Sequence, residues 1–149
     1  MLLQCTEPCS APVSSLREDR VCSCGAPVEI VPERPTQSGA ELRALWASRR
    51  ASVDPADRSG VWRFRELLPE ISSRLNDIVT LGEGNTPVLH GQATAQFAGL
   101  SDLLIKHLGW NPTGSFKDMG MTVAVTRAAT RGARVVACAS TGNTAASMA

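Results

Sequence analysis

Two short stretches concentrate the residues that could do chemistry. The chain has 13 arginines but only two lysines, Lys106 and Lys117, so each lysine position invites a reason. Lys117 lies in Ser115-Phe116-Lys117-Asp118, directly after a turn-rich run from Gly109 to Gly114. A helix starting at Ser115 puts this lysine in its first turn, beside the positive end of the dipole, which disfavours the ammonium form. A neutral amine is what condensation with a carbonyl carbon needs. The alternative is a solvated surface lysine, the common fate of that residue. The second stretch, Ser140-Thr141-Gly142-Asn143-Thr144, gathers four short hydrogen-bonding side chains around one glycine at a helix start. One of Ser140, Thr141 or Asn143 would suffice as a cap. A bound carboxylate or phosphate would use the others as well, together with unpaired backbone N–H groups.

A third cluster has the character of a metal site. Four of the five cysteines, Cys5, Cys9, Cys22 and Cys24, fall in the first 24 residues. Met1 to Cys9 has neither the basic end nor the apolar stretch of an export signal. An odd cysteine total in such a chain argues against a disulfide framework. Two close pairs suggest two knuckles offering four thiolates to one tetrahedral zinc. The spacings, Cys-x3-Cys and Cys-x-Cys, are irregular for such a site, and a small packed ribbon that binds nothing is the competing reading. Gly25, directly after Cys24, suits a tight knuckle turn. Cys138, inside an apolar run, reads as a small buried hydrophobe.

The elements that must position these groups follow from periodicity. Residues 1–31 form the cysteine segment, ending in an alternating stretch, Ala26 to Val31, that reads as an edge strand. Residues 32–39 are a linker by their Pro, Gly and polar content. Residues 40–149 form the rest. Ala40 to Arg50 reads as a helix with Leu42, Leu45 and Trp46 on one face, residues 54–60 as a turn, and Val61 to Leu68 as an apolar segment stopped by Pro69. Leu81 to Val88 is a loop by composition. Its Gly82-Glu83-Gly84 lacks the strand and helix context of a nucleotide fingerprint. Leu103 to Leu108 reads as a strand. Ser115 to Arg131 reads as a helix stopped by Gly132, with Ser115 and Asp118 as a candidate capping box. Arg134 to Ala139 reads as a strand buried on both faces, and a further helix begins near Asn143. Strand, helix, strand, helix predicts an α/β fold with a parallel sheet and both loops opening on one edge.

Composition narrows the partners. Lys plus Arg is 15 and Asp plus Glu 14, a net charge of +1, which gives no electrostatic reason to expect nucleic acid or an anionic membrane. No apolar run approaches the roughly 20 residues of a membrane helix. The cytoplasm is the expected compartment and a small molecule the expected partner.

Three motifs in register carry a resemblance: Leu81-Gly82-Glu83-Gly84-Asn85-Thr86-Pro87, Asn111-Pro112-Thr113-Gly114-Ser115-Phe116-Lys117-Asp118 with Gly120-Met121-Thr122, and Ser140-Thr141-Gly142-Asn143-Thr144-Ala145-Ala146. Over roughly residues 60–149 the chain resembles the fold-type-II pyridoxal-phosphate enzymes, the tryptophan-synthase-β-like superfamily, and within it the threonine synthases. The resemblance implies pyridoxal 5′-phosphate as cofactor, with Lys117 as the lysine that bonds to it and then serves as acid and base. It implies that Asn143 hydrogen-bonds the cofactor's 3′-oxygen and that Ser140, Thr141 and Thr144 cradle the substrate α-carboxylate. The implied reaction takes O-phospho-L-homoserine and water to L-threonine and phosphate. Some members carry a short cysteine-bearing segment ahead of the catalytic domain, which residues 1–31 look like. Met119 stands where many members have arginine. Nothing matches the family's glycine-rich cofactor-phosphate loop or its partner to the pyridine nitrogen. The expectation is therefore an N-terminal piece of a longer lyase, inactive alone, with oligomeric state left open. Rivals are a threonine dehydratase or cysteine synthase of the same fold type and, in another class, a non-catalytic zinc-binding interaction module.

Overall fold

The alternation after Ala26 builds a hairpin. The computed structural model describes residues 2–9, 21–32, 34–68 and 75–149. Strand β1 (Leu2–Cys5) pairs antiparallel with β2 (Val28–Val31), Leu2 opposite Val31 and Cys5 opposite Val28. Residues 10–20 of the cysteine segment and Pro69, the expected stop, lie outside the described residues.

Helix α1 (Gly39–Arg49) begins at a capping box that the sequence reading passed over. The Ser38 hydroxyl accepts from the Glu41 amide, and the Glu41 carboxylate accepts from the Ser38 amide at 2.7 Å. Its inner face is the expected one: Leu42 is buried, Leu45 and Trp46 half-buried. The 54–60 turn contains a single helical turn, α2 (Pro55–Arg58), capped by Asp54. Val61–Leu68 becomes a 3-10 stretch, Trp62–Leu67, and Trp62 is completely buried against Ala56, Leu68, Ile78 and Val123.

Glu66 fastens α1 to this stretch, accepting from Trp46 Nε1 at 2.9 Å and from both Arg49 guanidinium nitrogens at 2.9 and 2.5 Å. Burial pushes its carboxyl up, but the hydrogen bonds from Arg49 and Trp46 outweigh that and hold it at about 2. A folded-state value below the ordinary one stabilises the fold above about pH 4.5, and the contribution is lost as pH falls toward 2. Glu66→Gln should therefore lower stability near neutral pH and flatten its acid dependence across that window. Thermal melts of both proteins at a series of pH values check this; parallel curves would show that Glu66 is not the titrating anchor.

The second half departs from the expected sheet. Strand β3 (Val88–His90) follows the glycine loop, helix α3 (Gln92–Ala98) comes next, and β4 (Leu104–Lys106) returns antiparallel to β3. Helix α3 was not foreseen, because Gln92–Ala98 is short and its one buried residue, Ala95, makes no apolar stripe. The expected parallel sheet is corrected: among the described residues both sheets are two-stranded and antiparallel. Arg134–Ala139 has no β pairing among the described residues, and Val135 is 84% exposed. An apolar run of strand length specifies burial but not a partner, and backbone N–H and C=O groups need one to form a ladder. Cys138, expected buried, is half-buried for the same reason. The mixed α/β content stands.

Helix α4 (Lys117–Thr130) closes at Arg131, with Gly132 at φ +79° as its left-handed stop. Helix α5 (Asn143–Met148) packs against it. Among the described residues, no helix is long and apolar enough to cross a membrane.

Candidate functional site

Lys117 opens α4, as its position after the turn-rich run requires. It is half-buried, with Nζ 4.8 Å from the centroid of the Phe116 ring, and it makes no ion pair among the described residues. The capping box does not form. Phe116 occupies the cap position without a side-chain bond, and Ser115 Oγ accepts from the Lys117 amide at 3.2 Å. Asp118 reaches back along the chain instead, accepting from the Thr113 amide at 2.8 Å and from the Thr113 hydroxyl. Aspartate is one methylene shorter than the glutamate of a capping box, and here it folds the preceding loop onto the helix. Burial pushes the Asp118 carboxyl up, yet Ser147 of α5 and Thr113 outweigh this and hold it below the usual carboxylate range. The Ser147 hydroxyl lies close to that carboxylate, although it is buried without a well-formed hydrogen bond.

The buried face of α4 is polar: Asp118, Thr122 and Thr126, spaced by four. Each threonine has a partner. Thr122 Oγ1 accepts from Trp62 Nε1 at 2.8 Å and donates to the Val79 carbonyl at 2.6 Å, and Thr126 Oγ1 accepts from the Val79 amide at 2.9 Å. Backbone leading into the Leu81–Pro87 loop is thus sewn to the helix that begins with Lys117.

That loop is itself over-determined. Glu83 is fully buried and accepts from the Ser59 hydroxyl, the Thr80 hydroxyl at 2.8 Å and the Leu81 amide at 3.0 Å. Asn111 Oδ1 accepts from the Gly84 amide at 2.8 Å, joining this loop to the turn before Lys117. Gly84 has φ +81°, and a Cβ there would sit 2.6 Å from Gly60 Cα. Only glycine permits that backbone approach. Two of the three motifs therefore meet through Asn111. Sequence reading missed Ser59, Trp62, Glu83, Asn111 and Thr122 as positioning residues, since buried polar partners at long sequence separation leave no periodic signal, and it gave Asp118 a capping role where Thr113 is the partner.

The third motif is placed by α5. Its cap residue is Gly142, with no side-chain cap, and Ser140 Oγ accepts from the Gly142 amide at 3.2 Å. Ordinary capping thus leaves Thr141, Asn143 and Thr144 unexplained. Thr141 and Asn143 are exposed, Ser140 and Thr144 half-buried. Asn143 lies one turn before Ser147, the residue that faces Asp118, so the two share a side of α5. The common sheet edge expected to align the two loops is absent among the described residues; the packing of α5 on α4 relates them instead.

The four N-terminal cysteines converge. Their Sγ atoms all lie within 4.8 Å of one another, with Cys5–Cys24 at 3.6 Å and Cys9–Cys22 at 3.5 Å, and no disulfide joins any of the five cysteines. For Cys5 the Glu7 amide favours the thiolate, but burial and the neighbouring sulfurs prevail and push it up to about 12. For Cys22 the Cys24 amide and the Cys9 thiol act together and pull it down to about 6.

The site so assembled has a lysine at a helix start, a hydroxyl- and amide-rich loop on the helix packed beside it, and a glycine loop hydrogen-bonded to the turn before that lysine. Residues 79–149 match the family model of pyridoxal-phosphate dependent enzymes. The chain is similar to threonine synthases, as its motifs suggested. The threonine synthase of Methanocaldococcus jannaschii is 52% identical over 90 residues, 60% of this chain and 22% of the relative. That of Methanosarcina acetivorans is 49% identical over 89 residues, 60% of this chain and 21% of the relative. One from Mycobacterium tuberculosis is 54% identical over 71 residues, 48% of this chain and 19% of the relative. The chain spans about a fifth of the length of these curated relatives.

Proposed function

We propose that this chain is the N-terminal part of a pyridoxal-phosphate-dependent threonine synthase, which converts O-phospho-L-homoserine and water to L-threonine and phosphate. Residues 40–149 would begin its catalytic domain, following the cysteine segment 1–31 and the linker 32–39. The observation that carries this reading is Lys117: half-buried, first in α4, and without a carboxylate partner among the described residues. A lysine amine is the group that condenses with a carbonyl carbon.

Pyridoxal phosphate, when bound, supplies an electron sink for the carbanions formed on the substrate. Lys117 would hold it through the side-chain amine and move protons at the substrate's α and β carbons. The Asn143 amide would bind the cofactor's 3′-oxygen. Ser140, Thr141 and Thr144 would hold the substrate α-carboxylate with the first amides of α5, whose positive end favours an anion. Asp118, Thr113 and Asn111 fix the loop before Lys117, so the amine is presented without reorganisation. The substrate is a small amino acid, and a cytoplasmic setting suits such biosynthesis.

A chimera tests the assignment: residues 40–149 replace the corresponding stretch of the Methanocaldococcus jannaschii threonine synthase. Phosphate release from O-phospho-L-homoserine with formation of threonine is the expected result. Deamination of threonine, or sulfide incorporation into a serine ester, in its place would assign the chain to a dehydratase or a cysteine synthase. A folded chimera that takes up no pyridoxal phosphate would favour a non-catalytic module.

A further inference from the structure

Among the described residues of the N-terminal ribbon, the buried ones are two of the cysteines themselves, Cys5 and Cys22, whereas Ile30 of β2 is 47% exposed and Val21 is 54% exposed. Four-residue strands in an isolated pair are marginal in water. The described residues of this hairpin call for a cross-link in addition to apolar packing.

We propose that Cys5, Cys9, Cys22 and Cys24 bind one zinc ion in a closed, structural tetrathiolate site that staples β1 to β2. A tetrahedron with Zn–S bonds of about 2.3 Å has sulfur–sulfur edges of about 3.8 Å. The measured 3.6 and 3.5 Å pairs lie close to that edge, and the remaining separations stay within 4.8 Å. The backbone is arranged as a binding knuckle. Gly25 at φ +88° returns its amide to the Cys22 carbonyl at 2.8 Å, and the Cys22 amide donates to the Ala26 carbonyl at 2.8 Å. This tight turn brings Cys22 and Cys24 to one side, despite the single residue between them. The Glu7 amide donates to Cys5 Sγ at 3.4 Å, the kind of outer contact that supports a metal-bound thiolate. Soft thiolate ligands select zinc over magnesium or calcium. Four protein ligands leave no open coordination position, so the ion is structural and takes no part in the lyase reaction. The irregular spacing is thus resolved in three dimensions: convergence of the sulfurs matters, and the hairpin supplies what the sequence gaps do not.

The test uses the full 149-residue chain purified under reducing conditions. Elemental analysis should find one zinc per chain. Replacing zinc by cobalt(II) should give intense visible bands of tetrahedral cobalt with strong thiolate-to-metal charge transfer. Cys24→Ser and Cys9→Ser should each reduce the zinc content to a small fraction, whereas Cys138→Ser should leave it unchanged. The cobalt spectrum of the unaltered chain keeps the test decisive if a cysteine variant fails to fold. Metal-free protein with reduced thiols, two disulfides by mass spectrometry, iron in place of zinc, or an octahedral cobalt spectrum would each overturn the site.

Discussion

Lys117→Ala in the chimera should abolish the visible absorbance of protein-bound pyridoxal phosphate and lower turnover by at least about 10²–10⁴-fold, the usual worth of a positioned acid or base. Loss of covalent attachment adds to this. The fold should be unaffected. The lysine amine lies over the Phe116 ring, and the hydrogen bonds of the neighbouring loop run through Thr113, Ser115 and Asp118. Lys106→Ala, the chain's other lysine, is the comparison: its Nζ donates to the Thr86 carbonyl of the glycine loop, so its loss should loosen that loop without removing the absorbance band. A Lys117→Ala protein that retains both the absorbance band and turnover would remove Lys117 from the site. An unfolded variant would show instead that the lysine is structural. Far-UV circular dichroism separates these outcomes.

The second large effect falls on stability. Trp62→Ala should destabilise the chimera by about 3–5 kcal/mol, the usual cost of deleting a buried aromatic ring. Among the described residues Trp62 is the one large apolar side chain with no exposure, and it packs against Ala56 of α2 and Val123 of α4. Its indole N–H also holds Thr122, the residue that bonds Val79 at the entrance to the glycine loop. Trp62→Phe should separate the two contributions, retaining most of the packing and losing a hydrogen bond worth about 1 kcal/mol. Denaturant titration of the three proteins measures both. An alanine variant within about 1 kcal/mol of the parent would show that the threonine face of α4 holds the loop without the tryptophan. Cofactor affinity should fall with stability, because the same contacts orient the helix that starts at Lys117.

The chain by itself determined what is local and periodic. Helix α1 is readable from Leu42, Leu45 and Trp46, α4 from its turn-rich entrance and Gly132 exit, and β2 from two-residue alternation. These signals come from neighbours three, four or two residues apart, so a window of sequence contains them whole. The three motifs, in order, were enough to indicate the cofactor class of the matching family. Only the tertiary structure decided which distant groups touch. Asp118 had the sequence position of a capping box and took Thr113 instead, because the competing loop amide lay within reach of its shorter side chain. Arg134–Ala139 had the composition of a central strand, but a strand exists only with a hydrogen-bonded neighbour, and composition does not name one. Glu83, Asn111 and Trp62 have no periodic mark, since a buried polar group is specified by partners 24 to 60 residues away. The cysteines show both limits at once. Their number was legible in the chain, while the convergence of four sulfurs came from a hairpin that pairs Cys5 with Val28 and a glycine turn that carries Cys22 and Cys24 toward it.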